Sequence, residues 1–222
     1  MKKWYHFLGI LVVTVMAACD DGIQKSYWEN GKLKSELRYV DGKLYGECVW
    51  YDANGQRQTQ ASYVNDTLEG QYLRWHQNGQ LAEERWYKKG VQDSVCLTYS
   101  EKGNLSSKDY YSSGMLNGDS RKWFDNGQVF QEGQYVDGMM DGLWYIFYPS
   151  GALASKAEYN MGTGKQICYE ESGYKCLEVP YVNNVKHGKE IYYNPDGRVT
   201  KVVEYEKGKV ISEDNDPQNL GR

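Results

Sequence analysis

Glycine recurs along this chain at a fixed interval, and that interval limits the possible folds more than any other feature. It is 24 residues between Gly31, Gly55, Gly79, Gly103, Gly127 and Gly151, and Gly173 and Gly197 follow after 22 and 24 residues. A period of this length indicates tandem supersecondary units that bury apolar surface only against their neighbours. The eight units begin at Gly22, Gly46, Gly70, Ser94, Gly118, Gly142, Gly164 and Gly188.

Two aromatic positions are kept in every unit. If the first residue of a unit is position 0, position 17 carries the invariant tyrosines: Tyr39, Tyr63, Tyr87, Tyr111, Tyr135, Tyr159, Tyr181 and Tyr205. Position 5 carries the turn aromatics: Tyr27, Tyr51, Trp75, Tyr99, Trp123, Phe147, Tyr169 and Tyr193. Aromatic residues make up only 14% of the chain, so a match in every unit reflects a structural requirement.

Each unit is predicted to form a β-hairpin. Asn precedes the turn glycine in several units, as in Asn30-Gly31, and Asn-Gly is a strong hairpin signal because both residues tolerate positive φ. A second turn is predicted three residues after each invariant tyrosine, where Gly, Asp66 or Asn184 stands. The two residues missing from the sixth unit must fall in this turn, since a gap inside a strand would turn its side chains to the other face.

The chain is therefore predicted to be all-β. Residues 22–211 would form an elongated, twisted antiparallel meander of about eight tandem β-hairpin repeats with a 24-residue period. Sixteen strands at about 4.8 Å would span roughly 75 Å. Residues 212–222, with Glu213, Asp214 and Asp216, are predicted to be a disordered tail.

The turn length also predicts which residues share a face. A three-residue first turn that ends in a bulge glycine would set position 4 opposite position 12, and the turn aromatic opposite position 11. On this register the invariant tyrosines, the turn aromatics and residues such as Val49 share one buried face, and charged residues such as Glu36 and Lys108 lie on a solvated face. The alternative is a sheet that curls or stacks, so that both faces are partly buried. The aromatic residues expected on the solvated face are candidate interface anchors: Trp50, Tyr72, Trp86, Tyr110 and Trp144.

Four cysteines lie beyond residue 19. The same register places Cys168 opposite Cys176, where the facing Cβ atoms would lie about 4.5–5.5 Å apart, close to disulfide geometry. A Cys168–Cys176 disulfide is predicted, with two free thiols in neighbouring strands as the alternative. Cys48 and Cys96 occupy equivalent positions four strands apart and are expected to be small buried side chains.

Residues 1–18 have the features of a secretory signal peptide: two lysines, a short apolar stretch and small residues before Cys19. Met16-Ala17-Ala18-Cys19 resembles the bacterial lipoprotein box, which implies that Cys19 is lipidated and that residues 19–21 form the anchored N-terminus. A plain signal cleaved after Ala18, or a buried first strand, is the alternative. Asp20 resembles an inner-membrane retention signal, so a bacterial cell-envelope location, facing the periplasm or the surface, is expected.

Composition argues against several function classes. The formal charge is −4 and no basic cluster is present, so nucleic-acid binding is not expected. The chain has three histidines, one of them inside the signal, so no metal site is predicted, and His76 and His187 are expected to be turn residues. No nucleophile or cofactor motif is present; we therefore expect no cofactor and no enzymatic activity, although a carboxylate pair stays open.

The turn segments resemble MORN repeats. Tyr39-Val-Asp-Gly42-Lys-Leu-Tyr-Gly46 and Tyr135-Val-Asp-Gly138-Met-Met-Asp-Gly142 are similar to the bacterial MORN-variant repeat, and the resemblance extends from Gly22 to about Val210. It implies an all-β repeat scaffold. Some proteins with this repeat are classed as antitoxins, which implies a partner toxin.

The expected function is that of a membrane-anchored scaffold for protein–protein interaction, with a toxin as the candidate partner. Contact with the membrane would be through the lipid anchor only. The alternative is cell-wall or glycan binding through exposed aromatic residues, which can hold sugars or choline by stacking and cation–π contacts.

Overall fold

The computed structural model describes residues 22–215, and these residues form one antiparallel β-sheet. The predicted signal peptide, Cys19 and residues 216–222 lie outside the described residues. No helix occurs between Gly22 and Asn215, so this part of the chain contains none that could cross a membrane. The strands are β1 (Gly22–Tyr27), β2 (Leu33–Val40), β3 (Lys43–Leu44), β4 (Gly46–Tyr51), β5 (Arg57–Val64), β6 (Thr67–Trp75), β7 (Leu81–Lys88), β8 (Val91–Gln92), β9 (Ser94–Tyr99), β10 (Leu105–Ser112), β11 (Met115–Trp123), β12 (Val129–Val136), β13 (Met139–Phe147), β14 (Leu153–Asn160), β15 (Thr163–Tyr169), β16 (Lys175–Val182), β17 (Val185–Lys186), β18 (Gly188–Tyr193), β19 (Val199–Glu206) and β20 (Lys209–Asp214).

Strands pair in the order of the chain, which confirms the predicted meander of tandem hairpins. β3, β8 and β17 are two-residue segments that lead into β4, β9 and β18. The last strand, β20, pairs with β19 and extends to Asp214. The prediction that disorder begins at residue 212 is therefore wrong for Ser212–Asp214, because these residues continue the ladder into a ninth, incomplete unit.

Both predicted turns are present in every unit. In the first turn of unit 1, the Gly31 N–H donates to the Trp28 carbonyl over 2.9 Å and the Trp28 N–H donates to the Lys32 carbonyl over 2.8 Å. This is a three-residue loop that ends in a left-handed glycine. In the second turn both central residues have positive φ, as at Asp41 (50°) and Gly42 (72°), which is the type I′ geometry that matches strand twist.

The register after the first turn differs from the prediction. Tyr27 faces Leu33 as expected, but Ser26 then faces Ser35 rather than Lys34, so position 12 is a bulge residue. The same one-residue shift follows the first turn of all eight units. Because side chains alternate along a strand, one extra residue moves every later side chain to the opposite face.

The bulge places the invariant tyrosines and the turn aromatics on opposite faces, so the prediction that they share a face is wrong. We call the face with positions 2, 4, 13, 15 and 17 the tyrosine face, and the face with positions 3, 5, 11 and 14 the turn-aromatic face. The tyrosine face carries most of the buried side chains, including Cys48, Ala61, Val179 and Val203. Each invariant tyrosine pairs with the first residue of its own unit, as Tyr63 does with Gly46, so all eight keep one register.

A second irregularity follows the type I′ turn. In unit 2, Tyr63 pairs with Leu68 and Ala61 pairs with Tyr72, so three residues of β6 lie opposite one residue of β5. Two extra residues preserve the side-chain alternation, unlike the single extra residue after the first turn. We call this irregularity the three-residue bulge. It is absent in unit 6, where Tyr159 pairs with Gly164 and Ala157 with Gln166 without a register shift. The missing pair of residues therefore lies just after the turn.

Candidate functional site

The five candidate interface aromatics do not form one surface. Trp50, Tyr72 and Trp144 lie on the tyrosine face, where each ring contacts an invariant tyrosine at a centroid distance between 4.9 and 6.2 Å. Trp144 is only 4% exposed. Trp86 and Tyr110 lie at position 16, on the turn-aromatic side, and Trp86 is exposed. The bulge explains the error, because the prediction placed positions 2, 4 and 16 on the same face.

A groove of about 730 Å³ opens on the turn-aromatic face of units 4 to 6. Its aromatic walls are Trp123, the turn aromatic of β11, and Tyr145 of β13, with Tyr110 of β10 at one side. Leu105 and Leu143 add aliphatic surface. Tyr110 was predicted from the sequence, but the other four residues were not, because the predicted register placed the turn aromatics on the buried face.

Charged side chains line the floor of the groove. The Arg121 guanidinium donates to the Glu132 carboxylate over 2.6 Å, across the β11–β12 pair, and both side chains stay partly exposed. The Lys108 ammonium lies 5.1 Å from the centre of the Tyr110 ring, within cation–π range. Asp119 and Gln134 complete the polar lining. The groove thus combines aromatic surface with groups of both charges.

One sequence signal does mark this site. The row at position 3 is aliphatic in units 2 to 4, where it carries Val49, Leu73 and Leu97, but unit 5 has Arg121 and unit 6 has Tyr145. These two long side chains stand on units 5 and 6, two of the three units that hold the groove; unit 1 has Lys25 at this position, and units 7 and 8 have isoleucine. The change in residue type was visible in the sequence, but its meaning depends on the face that position 3 occupies.

A buried aromatic cluster lies on the opposite side of the same strands. The Trp144 ring lies across Gly133, where an added Cβ would come within 2.2 Å of the ring, and the Trp144 indole N–H donates to the Gln134 carbonyl over 3.1 Å. Ala157 and Tyr159 complete this buried cluster. The strands that line the groove therefore carry a buried aromatic cluster on their other face.

The four cysteines are free thiols. Cys168 pairs with Leu177, and Cys176 is the bulge residue of its unit, so the predicted opposition of the two cysteines is wrong and the disulfide is not formed. Cys48 and Cys96 are buried, as expected. Burial raises the pKa of all four thiols, which keeps them protonated near neutral pH and disfavours nucleophilic chemistry.

Two buried carboxylates belong to side-chain networks on the tyrosine face. Glu83 is paired with Arg74 and Arg85. Glu190, 2% exposed, is paired with Lys186 and accepts a hydrogen bond from the Tyr192 hydroxyl, which raises the pKa of Tyr192 to about 12. Residues 22–215 contain no group of three or more His, Cys, Asp or Glu that could hold a metal ion.

The histidines serve the turns. The His76 ring nitrogen Nε2 lies 2.8 Å from the Tyr99 carbonyl of the next unit. His187 Nδ1 accepts a hydrogen bond from the Lys207 N–H over 3.4 Å. Each links its own unit to the next, so a structural role accounts for both.

Five segments of the chain match the family model described as MORN repeat variant: residues 20–41, 44–65, 68–89, 116–137 and 140–161. Five of the eight units match the MORN-variant repeat. Each matched segment begins two residues before a unit start and ends two residues after the invariant tyrosine. A MORN-variant segment therefore covers one hairpin with its first turn, and the matches fall on units 1, 2, 3, 5 and 6.

No curated protein matches this chain. Solved structures with detectable similarity include the GtfA/B complex bound to UDP and GlcNAc, with 18% identity over 50% of this chain and 22% of that chain, and a TM-score of 0.21. TcdB2-TccC3 shares 15% identity over 87% of this chain and 13% of that chain, with a TM-score of 0.23. The Photorhabdus luminescens Tc holotoxin pore shares 14% identity over 84% and 12%, with a TM-score of 0.20. This chain spans less than a quarter of each of those chains, and scores of this size carry no functional inference.

Proposed function

We propose that this chain is a lipid-anchored repeat scaffold that binds a protein partner in the groove of units 4 to 6. The observation that carries the proposal is the composition of the groove, in which Trp123, Tyr145 and Arg121 lie together. Trp, Tyr and Arg are the residue types that dominate binding energy at protein interfaces, where they cluster in a central pocket with a polar rim. Binding is favoured over catalysis because the thiols are protonated and both histidines are used by turns.

The anchor is part of this proposal. Cys19 would be acylated after cleavage of residues 1–18, and more than one acyl chain on a cysteine makes anchoring stable. The sheet begins at Gly22, so β1 would lie next to the bilayer. Eight strand spacings separate β1 from β11, so the groove would stand roughly 40 Å along the sheet from its anchored edge. It would be open to partners in the periplasm or outside the cell.

The partner that we propose is a basic protein, with a toxin as the specific candidate. Removal of residues 1–18 takes away two lysines and leaves a side-chain charge of 24 − 30 = −6. An acidic surface speeds the encounter with a basic partner. The toxin assignment rests on the antitoxin class among proteins with this repeat.

Site-specific photocrosslinking in native membranes tests the proposal. The photoreactive residue p-benzoylphenylalanine in place of Tyr145 should capture one protein species, and the same residue in place of Tyr51, far from the groove, should not. Trp123→Ala should abolish the product, whereas Trp75→Ala, the matched change at position 5 of unit 3, should leave it. Identical products from both crosslinking sites would refute a specific groove interaction.

Glycan binding is the second candidate function. The specific observation in its favour is that the rings of Trp123 and Tyr145 share one groove with the polar side chains of Asp119 and Gln134, an arrangement suited to stacking and hydrogen bonding with a sugar. Recovery of a polysaccharide from the same membranes, without a stoichiometric protein, would favour this alternative over the leading proposal.

A further inference from the structure

The neighbour of the invariant tyrosine across the second turn differs in one unit only. In seven units it is a residue with a side chain: Leu44, Leu68, Gln92, Leu116, Met140, Lys186 and Val210. In unit 6, Tyr159 pairs with Gly164, and Gly164 also pairs with Tyr181 of the next unit. The shortened unit therefore lacks a side chain that every other unit supplies, and that side chain is aliphatic in five of the seven.

A cavity of about 200 Å³ lies on the tyrosine face at this place. Its walls include Met140, Trp144, Ile146, Tyr159 and Tyr181. Met140 is the equivalent aliphatic residue of the preceding unit, so the cavity adjoins the place that the missing residue of unit 6 would occupy. The rings of Tyr159 and Tyr181 approach each other to 5.9 Å but do not fill it.

The chain cannot close this cavity with a side chain at its own glycines. A Cβ on Gly164 would lie 2.1 Å from the Glu158 carbonyl oxygen, and one on Gly162 would lie 2.6 Å from the Asn184 Oδ1. The polar wall is also held in place: Gln166 donates to the Ser155 hydroxyl over 2.8 Å and accepts a hydrogen bond from the Tyr181 hydroxyl over 3.3 Å. The cavity is thus built into the shortened unit.

We propose that this cavity is a binding site for a compact aliphatic group of the size of a leucine or methionine side chain. In five of the other seven units an aliphatic side chain of the chain itself lies beside the invariant tyrosine, which favours the same chemistry here. The walls are mainly apolar, with Gln131, Ser155 and Gln166 as the polar members, and a pocket of this composition suits a small apolar group. The group can come from a peptide side chain or from a free fatty-acid chain. The site is on the opposite face from the groove and does not depend on the proposed function.

Methyl NMR on the protein labelled with ¹³C-methyl methionine tests the site. Titration with N-acetyl-leucine amide should shift the Met140 methyl resonance in a saturable manner and leave the exposed Met115 and Met161 unchanged, while N-acetyl-glycine amide should have no effect. Octanoate is the second ligand, and the tighter of the two identifies the source of the aliphatic group. Absence of a saturable Met140 shift with both ligands overturns the proposal.

Variants in which a side chain of the protein fills the cavity provide the control. Ala157→Leu places a larger side chain in the cavity wall, and insertion of Met-Asp between Thr163 and Gly164, copied from Met140-Asp141, restores a unit of regular length. Both should weaken binding at least tenfold, whereas Ala53→Leu, the same substitution in an exposed turn, should leave it unchanged. If Ala157→Leu does not fold, the insertion alone decides. Unchanged binding in a folded filled variant contradicts the proposal, and Trp123→Ala, which tests the groove, should not affect it.

Discussion

Units 2 and 6 form the same hairpin, although unit 6 is two residues shorter. In unit 2 the three-residue bulge after the type I′ turn sets three residues of one strand opposite one residue of the other. In unit 6 the bulge is missing, and the ladder runs without a shift from Asn160 to Ser155. The comparison shows that the bulge can be removed as a pair of residues, because an even change preserves the face of each side chain.

The neighbouring unit compensates for the difference. In unit 2, the other unit with a side chain at this turn position, the Asp66 carboxylate accepts the Leu44 N–H of the preceding unit over 2.8 Å. Unit 6 has no residue equivalent to Leu44, and Asn184 of unit 7 instead reaches past it to unit 5. Its side chain accepts the Met140 N–H and donates to the Gly138 carbonyl, both over 3.0 Å. The stack of turns therefore stays connected across the short unit.

Deletions in unit 4 test this comparison and should have the largest effect on the free energy of unfolding. Loss of both Leu116 and Asn117 reproduces the short unit and should leave cooperative unfolding in urea, at a cost of about 2–5 kcal/mol for the lost leucine. Loss of Asn117 alone should cost more, because it turns the following strand over and exposes its buried face. Equal stabilities of the two deletions, measured by circular dichroism, would contradict the account.

Gly133→Ala should have the next largest effect. Its Cβ would lie within 2.2 Å of the Trp144 ring, so the ring must leave the cluster with Tyr135 and Tyr159, at a cost of about 3 kcal/mol or more. The double variant with Trp144→Leu should recover part of this loss, because the smaller side chain leaves room for the methyl group. Strict additivity in a double-mutant cycle of unfolding free energies would show that the contact does not matter.

Substitutions of Asn184 test the hydrogen bonds that link unit 7 to unit 5, and their expected effect on stability is smaller. Asn184→Ala removes both hydrogen bonds to unit 5 and places alanine at a φ of 62°, which should cost about 1–3 kcal/mol. Asn184→Gly loses the same bonds without the strain and should cost less. If thermal unfolding shows the glycine variant to be the less stable one, the bonds and the strain are not the source of the loss.

Tyr159→Phe should have the smallest effect at neutral pH. Burial raises the pKa of Tyr63, Tyr111, Tyr135, Tyr159 and Tyr181 above the ordinary value near 10. Their contribution to stability is complete below that value, where the unfolded tyrosines are also neutral, and is lost as the pH rises toward the folded pKa. Alkaline unfolding should therefore begin near pH 10 and shift upward in Tyr159→Phe. An alkaline unfolding midpoint that is the same in Tyr159→Phe and in the unsubstituted protein would contradict this mechanism.

The sequence predicted the hairpins and both turns correctly, because their residue types are dictated by backbone conformation. The glycine of each turn has positive φ, as at Gly31 and Gly42, and in the second turn Asp66 and Asn184 replace it at φ of 64° and 62°. The bulge at position 12 was not predictable in this way. Its residues, among them Lys34, Ala82 and Phe130, share no type, since the bulge needs only one extra residue and not a particular side chain.

That single residue determined how much of the site could be predicted. Trp50, Tyr72 and Trp144 were named as surface anchors, but their rings pack against invariant tyrosines and Trp144 is buried. Trp123 was expected in the core and lines the groove. The packing of Trp144 on Gly133 is also hidden in the sequence, because neither residue belongs to the repeat pattern. Local turn chemistry was therefore readable from the sequence, but face assignment required the cross-strand pairs.

Disulfide trapping in unit 4 tests the register most directly. Thr98 and Ser107 face each other in the structure, with hydroxyl oxygens 2.8 Å apart, and Ser106 is the bulge residue. The pair Thr98→Cys with Ser107→Cys should form a disulfide on mild oxidation, detected by mass spectrometry, and the pair Thr98→Cys with Ser106→Cys should not. The reverse result would return the invariant tyrosines and the turn aromatics to one face, and the groove would lose its aromatic wall.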